Sequence, residues 1–153
     1  MPEPSDPLVR RATLADVPAC ADLLFDLFGH DLEFTPHRDL QVRGLELIVT
    51  NPSVGGILVL ELGRAVVGMV SLLSSISTAL GGKVAVLEDM VIDEARRGQG
   101  FGTRLLGEAL RFAQADGYLR VTLLTDHDKA DAIRFYESFG FQKSPMIPLR
   151  KEF

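Results

Sequence analysis

The sequence predicts one domain built on a mixed β-sheet flanked by helices, and three observations carry that reading. Apolar, strand-like runs cluster in the middle of the chain, from Gly56 to Ile92. Segments on either side repeat apolar residues at three- and four-residue spacing, the signature of amphipathic helices. After Val84 the pattern becomes strand, glycine turn, helix, strand, a βαβ arrangement that adds parallel pairing to a sheet otherwise joined by hairpins. At 153 residues the chain can bury about two-thirds of its unfolded surface, enough for one core.

Each element has its own signal. Leu8–Ala12 reads as a short strand after an acidic, proline-rich start that predicts a flexible tail over residues 1–7. Thr13 offers an N-cap, with Asp16 at the third position of a box-like start. Leu14, Val17, Ala21, Leu24 and Phe28 then mark the inner face of a helix to about Phe28. Gly29–Pro36 is a polar connection, and His37–Thr50 a second helix with Leu40, Leu45 and Ile48 inward, broken by Asn51-Pro52-Ser53. Gly56–Leu62 and Ala65–Ser77 are strands joined at Gly63-Arg64, a two-residue hairpin turn. The Val84–Ile92 strand follows. In the third helix, Thr103–Asp116, the apolar face is Leu105, Leu106, Ala109, Leu110 and Ala113, and Gly117 closes it. Val121–Thr125 is a strand, Ala130–Phe139 the last helix, and Met146–Arg150 a closing strand interrupted by Pro148.

Composition narrows the function classes. Hydrophobic content of 46% with 24% charged residues is that of a soluble globular protein, and a net charge of −5 disfavours a nucleic-acid partner held through its phosphates. Cys20 is the only cysteine, which leaves no intramolecular disulfide and no cysteine metal site; its apolar helical setting reads as a buried structural thiol. The uncharged stretch Ala65–Gly82 is interrupted by Ser, Thr and Gly and alternates like a strand, so a membrane span is not expected. The N-terminus lacks the basic-then-apolar pattern of a leader, and the expected location is cytoplasmic. The histidines are spread without metal-ligand spacing, and no metal is expected.

The stretch Arg97-Gly98-Gln99-Gly100-Phe101-Gly102 is the most informative. Glycines at alternate positions leave backbone N–H groups uncovered by any Cβ, and the following helix points its free N–H groups and positive dipole end at the same spot. Strand, glycine turn and helix N-terminus together suit a phosphate. No Lys follows the last glycine, as a P-loop requires, and the spacing does not complete G-x-G-x-x-G. What remains, R-x-x-G-x-G, resembles the GNAT superfamily of acyl-CoA-dependent N-acyltransferases. A second stretch agrees: Ala132-Ile133-Arg134-Phe135-Tyr136-Glu137 followed by Gly140-Phe141 is similar to that family's closing helix and turn, with the Val121–Thr125 strand between the two motifs. The chain departs from the family at Glu94, where Pro is frequent, and at Lys129, where an Asn commonly reaches the pantetheine arm.

The resemblance implies a fold, a donor and a chemistry. The fold is α+β (α/β mixed), a single domain over residues 8–153 with a mixed, mostly antiparallel central sheet and about four helices. The donor is acetyl-CoA as co-substrate. Its pantetheine arm would pair with the backbone of Met90, Val91 and Ile92, and its pyrophosphate would sit on the N–H groups of Gly98, Gln99, Gly100, Phe101, Gly102 and Thr103, with Arg96 and Arg97 beside the phosphates. Tyr136 matches the tyrosine that protonates the departing thiolate; a phenol with a reference pKa near 10 suits that task. Glu88, on an apolar strand, is the expected proton acceptor for the amine, its basicity raised by burial. Asp89 would face the other way in a regular strand and join Glu88 only across a bulge. His30, Asp31, Glu33, His37 and Arg38 fall where the family floors its acceptor pocket. The expected reaction is direct attack by a primary amine, since Cys20 is poorly placed for a covalent acyl-enzyme. A small-molecule amine is the first choice of acceptor; a peptide or protein amine, and a non-catalytic acyl-CoA sensor, are the alternatives. Pairing into a homodimer is common in the family.

Overall fold

The computed structural model describes residues 6–29 and 36–153. The chain falls into two compact units, Met1–Leu123 and Leu124–Phe153. The first holds a five-stranded sheet in sequence order: β1 (Leu8–Arg11), β2 (Gly55–Leu62), β3 (Ala65–Ser77), β4 (Gly82–Ile92) and β5 (Val121–Leu123). Pairing is antiparallel from β1 to β4 and parallel between β4 and β5, which makes the sheet mixed and mostly antiparallel, as expected. The helices are α1 (Val17–Gly29), α2 (Arg38–Val49) and α3 (Phe101–Ala115) in the first unit and α4 (Ala130–Glu137) in the second.

The two faces of the sheet are covered by different helices. Val17, Cys20, Ala21, Leu23 and Leu24 of α1 and Leu45 of α2 form one cluster with Ile57, Val59, Met69 and Val91. On the other face Leu105, Leu106, Ala109 and Ala113 of α3 are buried, and a Cβ built on Gly68, the neighbour of Met69, would lie 3.5 Å from Leu105 Cδ2. The entrance to α1 is tied by charge. The Asp16 carboxylate accepts from the Thr13 N–H at 2.7 Å and from both Arg10 Nη atoms at 2.8 and 2.9 Å, while Arg10 Nε donates to Glu61 at 2.7 Å. The capping box predicted at Thr13 is therefore present, but it opens on a 3₁₀ turn, Leu14–Asp16, rather than on α1 itself.

Three sequence expectations are corrected. Leu14 is exposed, because the 3₁₀ turn turns Asp16 inward and puts Leu14 outside the phase of α1. Leu40 is exposed too: it lies five positions from the buried Leu45, about 140° round the helix. Met146–Arg150 forms no strand; Met146, Ile147 and Leu149 are exposed, and Pro148 has no N–H to give a ladder.

The registers of β3 and β4 slip against each other at one place. Met69 lies opposite Val91 and Ser71 opposite Glu88, so β4 carries an extra residue in the interval. That is a β-bulge, and Asp89 within it has φ +54°, the one non-glycine residue with positive φ among those described.

Candidate active site

β4 delivers the chain to the site. Its first half pairs with β5 at Ala85, Val86 and Leu87, and among the described residues no strand continues on that side beyond Leu87. From Glu88 to Ile92 it is bonded along β3 alone. The bulge and this free edge coincide, and the segment runs directly into the glycine turn.

The turn is built by local bonding. Asp93 accepts from the Ala95 N–H at 3.1 Å and caps a short 3₁₀ turn, Glu94–Arg96. The Gln99 side-chain amide donates to the Ala95 carbonyl at 3.4 Å, and Arg97 Nε donates to the Ile92 carbonyl at 3.2 Å. Gly98 and Gly100 then take φ of +73° and +83°, a left-handed backbone that costs other residues roughly 1–2 kcal/mol. Residues 96–100 are exposed, and a Cβ added to Gly98 or Gly100 would meet nothing within 4 Å. The glycines therefore serve conformation and open approach, not close packing.

The end of α3 is electrically uncompensated. Its first intrahelical bond runs from the Arg104 N–H to the Gly100 carbonyl at 3.1 Å, so the N–H groups of Phe101, Gly102 and Thr103 precede any intrahelical acceptor. Gly100 has no side chain with which to cap them, and the first turn holds no acidic residue. Arg96, Arg97 and Arg104 add positive charge. On a chain of net charge −5 this is a local site for an anion.

The carboxylates of β4 are not arranged as the sequence suggested. Glu88 is exposed, so the burial expected to raise its basicity is absent. Asp89 is half-buried instead; burial, and then the neighbouring Glu88 charge, push its carboxyl up to about 6. The readable signal was the Glu-Asp doublet itself: two adjacent charges cannot alternate cleanly across a strand buried on both faces, and a bulge resolves the conflict. Ser71, opposite Glu88, is fully buried and its hydroxyl has no hydrogen-bond partner.

Tyr136 belongs to the second unit. It sits half-buried on α4, its ring 5.3 Å from Phe135 and 5.8 Å from Phe141, and burial raises its phenol above the ordinary value. His37 occupies the N-cap position of α2, and Arg38 pairs with Asp22 of α1. His30, Asp31 and Glu33 lie outside the described residues.

With strand, bulge, glycine turn and helix end in order, comparison with known proteins decides the family. The acetyltransferase (GNAT) family model matches residues 18–141. The chain belongs to the GNAT family. An aminoalkylphosphonate N-acetyltransferase of Salmonella typhimurium is 29% identical over 136 residues, 89% of this chain and 85% of that protein. N-acetyltransferase family 8 member 2 of Rattus norvegicus is 36% identical over 90 residues, 59% of this chain and 40% of its own length, so the chain spans well under half of that relative. Among solved structures, an aminoglycoside N-acetyltransferase in complex with CoA shares the fold with a TM-score of 0.81 at 13% identity, over 99% of this chain and 98% of that one. Family membership accounts for the coincidence of bulge, free β4 edge and unpaired helix end in one GNAT chain.

Proposed function

We propose that this protein transfers an acetyl group from acetyl-CoA to a primary amine by direct attack. The carrying observation is the exposed glycine turn, which ends a strand with a free edge and opens a helix whose N–H groups face no acidic side chain. In this reading the N–H groups from Gly98 to Thr103 hold the pyrophosphate, with Arg97 beside it, and the backbone of Met90, Val91 and Ile92 receives the pantetheine arm as an added strand would. The glycine turn suits two negatively charged groups at neutral pH without a metal, because its donors are fixed and already desolvated on one side.

The residues divide the proton work. Glu88 and Asp89 of β4 form the basic pair that receives the proton of the ammonium, leaving the nitrogen lone pair free. Tyr136, still a neutral phenol at pH 7, returns a proton to the sulfur that leaves. A thiolate that departs protonated does not re-attack the amide, so the transfer is driven forward.

The acceptor is read as a small amine. The Salmonella relative, which aligns along most of its length, is by its name an aminoalkylphosphonate N-acetyltransferase. The test is a screen of primary amines, aminoalkylphosphonates among them, for release of CoA thiol, paired with calorimetry of acetyl-CoA binding. Binding with amine-dependent thiol release is the expected result. Binding without turnover on any amine would favour a cofactor sensor, and no binding would end the reading.

A further inference from the structure

The bulge in β4 gathers oxygen atoms where the sheet is otherwise apolar. Its neighbours along the strands are Val70, Leu72, Leu87 and Val91, all buried. Directly paired residues of an antiparallel ladder leave the sheet on the same face, so Ser71 and Glu88 share a face. Asp89 follows Glu88 in the left-handed conformation. Ser71 Oγ is shut off from bulk solvent and bonds to nothing in the protein, an arrangement that costs free energy unless water or a ligand satisfies it.

We propose that Asp89, not Glu88, takes the proton of the acceptor ammonium, through a water held by Ser71. This rests on the acetyl-transfer reading above and names the base within it. The nitrogen loses two protons in all. The first passes from the ammonium to the water while the water passes one to the Asp89 carboxylate, and from there it is released to solvent. The freed lone pair forms the C–N bond to the thioester carbonyl carbon, the C–S bond breaks with its electrons on sulfur, and the second nitrogen proton balances the one that sulfur takes up. Glu88 acts on Asp89 by repulsion and keeps it a stronger base than an isolated aspartate. Other charges near β4 do not compete. β3 and β5 carry none, Asp22 and Asp26 of α1 are exposed, and Glu108 of α3 is paired with Arg104 and Arg111.

The test combines titration and kinetics on the whole chain, with acetyl-CoA and 2-aminoethylphosphonate as the probe pair. Carbon-13 NMR of aspartate-labelled protein should show a carboxyl resonance, absent in Asp89→Asn, that titrates near 6 and moves to lower pH in Glu88→Gln. The acidic limb of kcat/KM should follow the same midpoint in both proteins. Asp89→Asn should lose that limb and fall by about 10²–10⁴-fold in kcat/KM, with acetyl-CoA affinity within about threefold. Ser71→Ala should lower kcat by roughly tenfold at unchanged KM for acetyl-CoA, and Ser71→Thr should restore it, on the general worth of one buried hydrogen bond. Asn and Gly both accept left-handed backbone, so Asp89→Asn and Asp89→Gly should fold. If Asp89→Asn matches wild type while Glu88→Gln loses the limb, or if the Asp89 resonance titrates like an ordinary aspartate, the proposal is wrong. Wild-type protein that binds acetyl-CoA and acetylates no amine would instead overturn the reading beneath it.

Discussion

An acid that protonates a thiolate must hold its own proton until the thiolate forms. Tyr136 meets that condition because burial raises its phenol further above neutrality. Tyr136→Phe removes one oxygen and leaves the ring contacts with Phe135 and Phe141. We expect kcat to fall by ~10²–10⁴-fold, and acetyl-CoA affinity to change by less than about tenfold, since one neutral hydrogen bond contributes roughly 1 kcal/mol. Steady-state kinetics and calorimetry read the two quantities separately, and full activity would make Tyr136 a packing residue. Asp16 tells of stability instead. Its bonds to Arg10 hold the folded carboxyl at about 2, below the ordinary 3.8. A lowered folded value means stability that is present above about pH 4 and is lost as pH falls toward 2. Asp16→Asn should therefore cost on the order of 2 kcal/mol at neutral pH and flatten denaturation curves across that acid window. A variant with the wild-type acid dependence would assign the loss to other carboxylates.

At the scale of elements, the turn between β4 and α3 makes the clearest claim. Gly100 can be replaced by Asn with little backbone strain, because Asn visits left-handed conformations. The added side chain would project into the open space above the helix end. Charge-assisted hydrogen bonds are worth about 1.5–3 kcal/mol each, so blocking one or two should weaken acetyl-CoA binding by roughly 10- to 100-fold. The melting temperature should shift by only a few degrees. Calorimetry beside thermal unfolding checks this, and unchanged affinity would remove the pyrophosphate from the turn. The turn was fully legible in the sequence because glycine identity and position carry its physics locally. The inner faces of α1 and α3 were legible for a similar reason: Val17, Ala21, Leu24, Leu105 and Ala109 repeat at helical spacing and are buried. Leu14 and Leu40 misled because an apolar residue beside a helical stripe looks the same on paper whichever side of the cylinder it falls.

For the whole molecule, Cys20 offers a built-in reporter. It is buried in the cluster between α1, α2 and the sheet, and burial pushes its thiol up to about 12. A thiol reagent should label it only when the cluster opens. If that opening is global, acetyl-CoA at 100 times its dissociation constant should slow labelling about 100-fold, the linkage of binding to folding. Equal rates with and without acetyl-CoA would show that α1 opens locally. The same distinction, local against global, separates what each level of structure decided. Element order, the mixed sheet, the glycine turn, the Thr13–Asp16 cap and the buried cysteine were determined by sequence alone, because propensity, periodicity and capping act over a few residues. The basic carboxylate was decided by the tertiary structure. Which of Glu88 and Asp89 is sheltered depends on the register of β4 against β3, and register is a property of two strands. The absence of a strand at Met146–Arg150 has the same origin: an apolar run becomes a strand only where a partner edge accepts its hydrogen bonds, and Pro148 leaves one of those bonds unmade.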